Sequence, residues 1–230
     1  MRNISLALLF LALHLGAQTP ATPPANSAPA DFPQLARYRI ENASRRSTDG
    51  RVRVVFLGDS ITDYWGKRAG KWFAHAGWIN RGIGGQTTAQ MLLREQDDAL
   101  SFKPQAIVLE GGGNDMRLGF TPAEIRYRIK TMGDLARIHH AKVFVAAMTP
   151  VCDCFRPLTG LRTVQRITEL NTLLRDLCAE KHWTFIDAAI VLKDSQGLMR
   201  KDLTWDGVHP NDAGYARMAT AYESALAKYR

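Results

Sequence analysis

Val52-Arg53-Val54-Val55-Phe56-Leu57-Gly58-Asp59-Ser60-Ile61-Thr62 runs an apolar, β-branched segment directly into a polar turn. The first half reads as a buried strand, and the break at Gly58 puts the Ser60 hydroxyl at a strand-to-helix turn where its backbone N–H points outward. The same alternation continues along the chain. Gln105 to Leu109, Lys142 to Ala147 and Trp183 to Ile186 are further strand-like runs, with a weaker one at Trp78 to Asn80, so five strands are expected. Helical patterns lie between them at Thr87 to Leu100, Pro122 to His139 and Leu161 to His182, and Ala213 to Tyr229 closes the chain as an amphipathic stripe facing a core. Thr121 can cap the helix that Pro122 starts, with Glu124 reaching back in a capping box. Parallel strands need crossovers, so the alternation predicts an α/β fold with a parallel sheet covered by helices on both faces. Ligands of such sheets bind beyond the C-terminal ends of the strands, which directs attention to the loops at Gly58 to Thr62, Arg81 to Thr88, Gly111 to Met116, Thr149 to Phe155 and Asp187 to Pro210.

Those loops hold the residue types that acyl transfer needs. Ser60 can be a nucleophile, or it can cap the following helix or line an anion-binding turn. Asp206-Gly207-Val208-His209-Pro210 sets a carboxylate three residues before an imidazole. One tight turn converts that spacing into an Asp206 to Nδ1–H hydrogen bond that leaves His209 Nε2 as a base. His75, His139, His140 and His182 have no such neighbour and read as loop or surface histidines. Two glycine-rich loops, Arg81-Gly82-Ile83-Gly84-Gly85-Gln86-Thr87 and Gly111-Gly112-Gly113-Asn114-Asp115, can bring backbone N–H groups and a side-chain amide to a developing oxyanion. Neither is a dinucleotide fingerprint, because Thr87 and Met116 stand at the final glycine positions. The chain also lacks a Walker Gly-Lys-Ser/Thr, a Gly-x-Ser-x-Gly elbow and a His-Glu-x-x-His pair.

Taken in order, Gly58-Asp59-Ser60, Gly82-Ile83-Gly84-Gly85-Gln86-Thr87-Thr88, Gly112-Gly113-Asn114-Asp115 and Asp206-Gly207-Val208-His209-Pro210 resemble blocks one, two, three and five of the SGNH (GDSL) hydrolases. The resemblance spans about residues 52 to 220. It implies a three-layer α/β/α fold on a flavodoxin-like five-stranded parallel sheet, and ester hydrolysis without metal or cofactor. Carried over residue by residue, Ser60 is the expected nucleophile, His209 the general base and acid, and Asp206 its orienter. The Ser60 N–H, the Gly85 N–H and the Asn114 amide are the expected oxyanion hole. Gln86 departs from the family, many of whose members have Asp there, which puts the local hydrogen bonding in question. The block-two and block-five strings are similar to those of platelet-activating-factor acetylhydrolase catalytic subunits and bacterial carbohydrate acetylesterases, both of which remove short acyl groups. The expectation is an exported serine esterase acting on short-acyl esters of carbohydrates or other small molecules. Alternatives are a lipase, phospholipase or thioesterase of the same mechanism, and a catalytically silent carbohydrate-binding protein.

Composition bounds the rest. With 46% apolar and 23% charged among 230 residues, the chain is neither disordered, collagenous nor a disulfide scaffold. Its charge of +8 invites an anionic partner, but the densest basic cluster, Arg37 to Arg53, is broken by Glu41 and Asp49 and has no interleaved aromatics. It reads as a solvated face, and no nucleic-acid binding is expected. Residues 1–17 read as a signal peptide, with Arg2, an apolar run from Ile4 to Leu15 and small residues at Gly16-Ala17; that run is too short to span a membrane. Residues 18–30 are a Pro, Ala and Thr-rich linker, and 31–230 form the hydrolase domain, which export would deliver to the periplasm or the extracellular space. Cys152, Cys154 and Cys178 allow at most one internal disulfide and read as semi-buried thiols, not a zinc site. Trp65, Trp72 and Trp78 are packing residues or, less often for such positions, sugar-stacking faces.

Overall fold

Strands β1 (Val54–Gly58), β2 (Trp78–Gly82), β3 (Ala106–Glu110), β4 (Lys142–Ala146) and β5 (Thr184–Ile186) form one all-parallel sheet in the order β2-β1-β3-β4-β5. This computed structural model describes residues 31–46 and 51–230; the expected signal peptide and linker lie outside the described residues. Every residue of β1 and β3 is buried, because both sheet faces are covered, and that is why these strands read as unbroken apolar runs. Successive side chains still alternate between the faces. Val55, Leu57, Ile107 and Leu109 pack with Met91 of α3 (Thr88–Asp98), Ile129 of α5 (Pro122–Ile138) and Leu170 of α6 (Val164–Lys181). Val54, Phe56, Val108 and Phe144 face the other way, onto Tyr215, Met218 and Tyr222 of α7 (Asp212–Ala225) and onto Trp65 and Phe73. The three layers expected from the alternation are present.

Local signals set the helix ends. Thr121 and Glu124 form the expected capping box, and Thr87 with Gln90 forms a second one, so the helix read from Thr87 begins one residue later. Thr163 caps α6 by accepting from Arg166 N–H at 3.2 Å, and α6 therefore starts at Val164 instead of Leu161. α7 stops at Ala225, and a separate 3-10 turn covers Ala227–Tyr229. Three helices carry no readable period: α1 (Arg39–Arg46), α2 (Ser60–Tyr64) and α4 (Gly113–Arg117). The last two are single turns. α1 lies inside the Arg-rich stretch and docks through a polar group: buried Asn42 donates to Asp98 Oδ1 at 2.6 Å and accepts from Arg81 Nε at 3.1 Å. Among the described residues, no helix is long and apolar enough to cross a membrane.

One core residue makes stability depend on pH. Glu95 is fully buried in α3, and neither carboxylate oxygen has a partner among the described residues. Burial pushes its carboxyl up to about 9. The folded chain thus keeps a proton that the unfolded chain releases near 4.5, so this group's contribution is intact below that pH and is lost as pH rises toward about 9. Over that window the loss is at most about 1.4 kcal/mol per pH unit. Glu95→Gln cannot ionise and is expected to flatten the difference between urea unfolding free energies at pH 5 and pH 8, while an unchanged slope would contradict it.

Candidate active site

The strand order reverses direction beside β1 and β3, and the loops leaving these two strands diverge into a crevice at their C-terminal ends. Ser60 opens α2 directly after β1, with Asp59 as N-cap, whose Oδ1 accepts the Ile61 N–H at 2.9 Å. From below, the buried Tyr215 hydroxyl donates to Ile61 O at 2.8 Å and ties α2 to α7. The loop carrying His209 closes on itself: the Thr204 hydroxyl donates to His209 O at 2.7 Å and accepts the Gly207 N–H at 3.0 Å. Gly207 has φ +89°, and a Cβ there would stand 2.6 Å from Cys152 O, so only glycine fits this turn. The turn brings Asp206 Oδ2 to 2.7 Å from His209 Nδ1, while Asp206 Oδ1 accepts the N–H groups of Val208 and His209 at 2.9 and 2.8 Å. Burial works to raise the Asp206 carboxyl, but the His209 N–H, its imidazole and the Val208 N–H outweigh it and hold the group below the usual carboxylate range. His209 Nε2 then lies 2.9 Å from Ser60 Oγ.

The two glycine-rich loops meet this pair. Asp115, fully buried, accepts Thr88 N–H at 2.9 Å, the Thr88 hydroxyl at 2.6 Å and Arg128 Nη1 at 3.2 Å, which pins the loop after β3 to the start of α3. Asn114 Nδ2 donates to Gln86 O at 3.0 Å and so faces the block-two loop. Gly85 has φ +83° and lines the cleft, and a Cβ there would meet nothing within 4 Å. Ser60, Gly85, Asn114 and His209 share a cleft of about 460 Å³ with Tyr64 and Val208. All the expected site residues except Asp206 line it directly, and Asp206 stands behind His209.

Gln86 explains its own departure from the family string. Its Oε1 accepts from Arg94 Nε at 2.5 Å, and its Nε2 donates to Pro33 O at 2.8 Å, a bond that an aspartate could not make. Gln86 therefore ties the segment preceding α1 to the block-two loop. Arg94, fully buried, also donates to Arg81 O at 2.8 Å and Gly58 O at 2.9 Å, and pairs with Asp98 at 3.2 Å. A single guanidinium thus braces the ends of β1 and β2. Beneath Ser60 lie two buried carboxyls, Asp59 and Glu110. Burial drives Glu110 well above the carboxylate range, reinforced by the Asp59 charge, so it keeps its proton while Thr62 Oγ1 donates to its Oε2 at 3.0 Å. Burial also pushes Asp59 up to about 6, against the Ile61 N–H and the charges of His209 and Arg162.

The tryptophans pack, as the first of their two readings had it, and the cysteines do not all stay thiols. Trp65 and Trp78 are buried and, with Trp72, pack edge and face against Phe56 and Phe73, so these rings are core and not sugar platforms. The aromatic rings at the site are instead Tyr64 and Trp205, with centroids 5.0 and 5.6 Å from the His209 ring. Cys152 and Cys154 form the one disulfide among the described residues, and buried Cys178 stays free, its thiol pushed up to about 12 by burial. Sequence reasoning did not single out Arg94, Glu110 or the cleft arginines Arg117, Arg156 and Arg162, because no motif spacing marks them. Among the described residues, no three His, Cys, Asp or Glu side chains gather closely enough to hold a metal ion.

Comparison with known proteins follows the same lines. Esterase TesA of Pseudomonas aeruginosa is 32% identical over 141 residues, 61% of this chain and 64% of that protein's length. A candidate acylhydrolase of Bacteroides fragilis superposes with a TM-score of 0.79 at 29% identity, covering 86% of this chain and 98% of the other. A GDSL-like lipase of Bacteroides thetaiotaomicron gives 0.77 at 28%, covering 86% and 99%. The GDSL-like Lipase/Acylhydrolase family matches residues 56–217, a span that starts inside β1 and ends inside α7 and so includes every loop of the cleft. With that match, the chain belongs to the GDSL-like Lipase/Acylhydrolase family.

Proposed function

We propose that this protein is an exported serine esterase that cleaves short-acyl esters, acetylated carbohydrates foremost, through an acyl-enzyme on Ser60. The observation that carries the reading is the hydrogen-bonded chain Asp206 Oδ2, His209 Nδ1, His209 Nε2 and Ser60 Oγ, with separations of 2.7 and 2.9 Å. Asp206 holds the tautomer with the proton on Nδ1, so Nε2 takes the Ser60 proton as Oγ bonds to the ester carbonyl carbon. The Ser60 and Gly85 N–H groups and the Asn114 amide face the carbonyl oxygen as it becomes negative. His209 returns the proton to the departing alcohol, then deprotonates the water that attacks the acyl-enzyme, and the acid leaves with Ser60 restored.

The name of the Pseudomonas relative, an esterase, agrees with this chemistry. The open cleft and the Tyr64 ring at its edge suit a small polar ester. Export rests on residues 1–17, and a disulfide between Cys152 and Cys154 fits an oxidising compartment. A p-nitrophenyl ester series from acetate to long acyl chains, run beside acetylated xylan and acetylated monosaccharides, tests the substrate. Acetate is expected to exceed octanoate by about tenfold or more in kcat/KM, the scale that a few misplaced methylenes impose on a short pocket. Preference for long chains would move the protein to lipolysis.

A further inference from the structure

Three arginines line the cleft together with Ser60 and His209: Arg117 at the end of α4, and Arg156 and Arg162 from the loop between β4 and α6. Other arginines pair with carboxylates, as Arg94 with Asp98, Arg128 with Asp115 and Arg175 with Asp187, or rest on carbonyls and rings, as Arg166 on Leu161 O and Phe120 O and Arg68 over Tyr64. Among the described residues, the three in the cleft make no ion pair, and no acidic side chain lines it. Arg117 and Arg156 are exposed and make no side-chain hydrogen bond. Arg162 is only 8% exposed, and among the described residues its side chain hydrogen-bonds from Nε to Gly113 O at 2.8 Å while neither Nη group has an acceptor. The acids nearest Arg117 and Arg156 in sequence are occupied: Asp115 holds Thr88 and Arg128, and Asp153 accepts the N–H groups of Leu158 and Thr159 and the Thr159 hydroxyl, folding the loop. Burial lowers the proton affinity of Arg162, and the charges of Arg117 and Arg156 add to this while those of Asp59 and Asp206 oppose it.

Like charges gathered around a partly dehydrated cleft repel, and a bound anion relieves that repulsion. A guanidinium fork matches the two oxygens of a carboxylate. We propose that Arg117, Arg156 and Arg162 form a carboxylate subsite beside the reacting serine, which makes the enzyme selective for esters that carry a negative charge. This rests on the reading of Ser60 and His209 as the hydrolytic centre.

Two matched substrate pairs test it, each differing by one carboxylate. The charge lies on the acyl side in mono-p-nitrophenyl glutarate against p-nitrophenyl pentanoate. It lies on the alcohol side in acetylated methyl glucuronide against acetylated methyl glucoside. The wild type is expected to favour the charged member of at least one pair by about tenfold in kcat/KM, chiefly through KM, with the ratio shrinking as salt rises. The Arg117→Ala/Arg156→Ala double variant is expected to lower that ratio about tenfold, and Arg156→Glu to lower it further; a ratio cancels any loss of folded enzyme. Ratios near one in both pairs, or a preference that survives in the double variant, would overturn the subsite. Turnover of p-nitrophenyl acetate by the wild type, measured alongside, separates the outcomes. If it persists without charge preference, only the subsite fails; if it is absent, the hydrolytic reading fails and the subsite with it.

Discussion

His209→Ala is expected to lower kcat/KM for p-nitrophenyl acetate by about 10⁴-fold or more, and adding Ser60→Ala should cost almost nothing further. The reason is geometric. His209 Nε2 lies 2.9 Å from Ser60 Oγ and is the base of the proposed mechanism, so without it the hydroxyl is expected to keep its proton and the second deletion to remove a group already idle. Asp206→Asn belongs to the same unit. It retains the size of the side chain but can donate to Nδ1, which turns the imidazole to the tautomer with its proton facing Ser60, at a cost of about 10⁴-fold by analogy with other serine triads. Residual activity in all three variants should share one level, set by Gly85, Asn114 and the Ser60 N–H. Losses that multiply in the double variant would mean that Ser60 and His209 act independently.

Arg94→Met is expected to destabilise the fold by about 3 to 5 kcal/mol, because it strips a buried ion pair of one member and takes a donor from three further acceptors, of which Gly58 O keeps the Ile83 N–H at 3.0 Å. Those acceptors are Gly58 O, Arg81 O and Gln86 Oε1, at 2.9, 2.8 and 2.5 Å. Asn42 still donates to Asp98, but the carboxylate keeps no cation. Gly58 precedes Asp59-Ser60 and Gln86 follows Gly85, so the loss reaches the geometry of both loops. We therefore expect turnover per folded molecule to fall as well, well below the unfolding temperature. Arg94→Lys restores the charge but not the fork, and should recover only part of the stability. Urea unfolding of the three proteins measures this, and a loss under about 1 kcal/mol for Arg94→Met would contradict it.

The parallel sheet was legible because buried strands announce themselves: Val54 to Leu57 and Ala106 to Leu109 contain no polar side chain to disguise them. Asp206 and His209 were legible because a single turn joins them. What escaped was whatever depends on distant segments meeting. α1 docks through Asn42 and not through an apolar stripe, so hydrophobic period is blind to it. Arg94 sits on the amphipathic α3 like any long polar residue until folding lays Gly58, Arg81 and Gln86 around it. The three cleft arginines are scattered over 46 positions from Arg117 to Arg162, while the densest basic cluster in the chain lies elsewhere. Trp65 and Trp78 flank the right loops, but their indoles turn inward, as the packing reading of these residues had it.

Acid-quenching the wild-type protein during steady turnover of p-nitrophenyl acetate, followed by mass analysis of the peptide that contains Ser60, tests the central claim most directly. One added acetyl group on Ser60, absent from Ser60→Ala, is the expected result. Continued turnover with no acyl group on that serine, or an acetyl group on another residue, would contradict it.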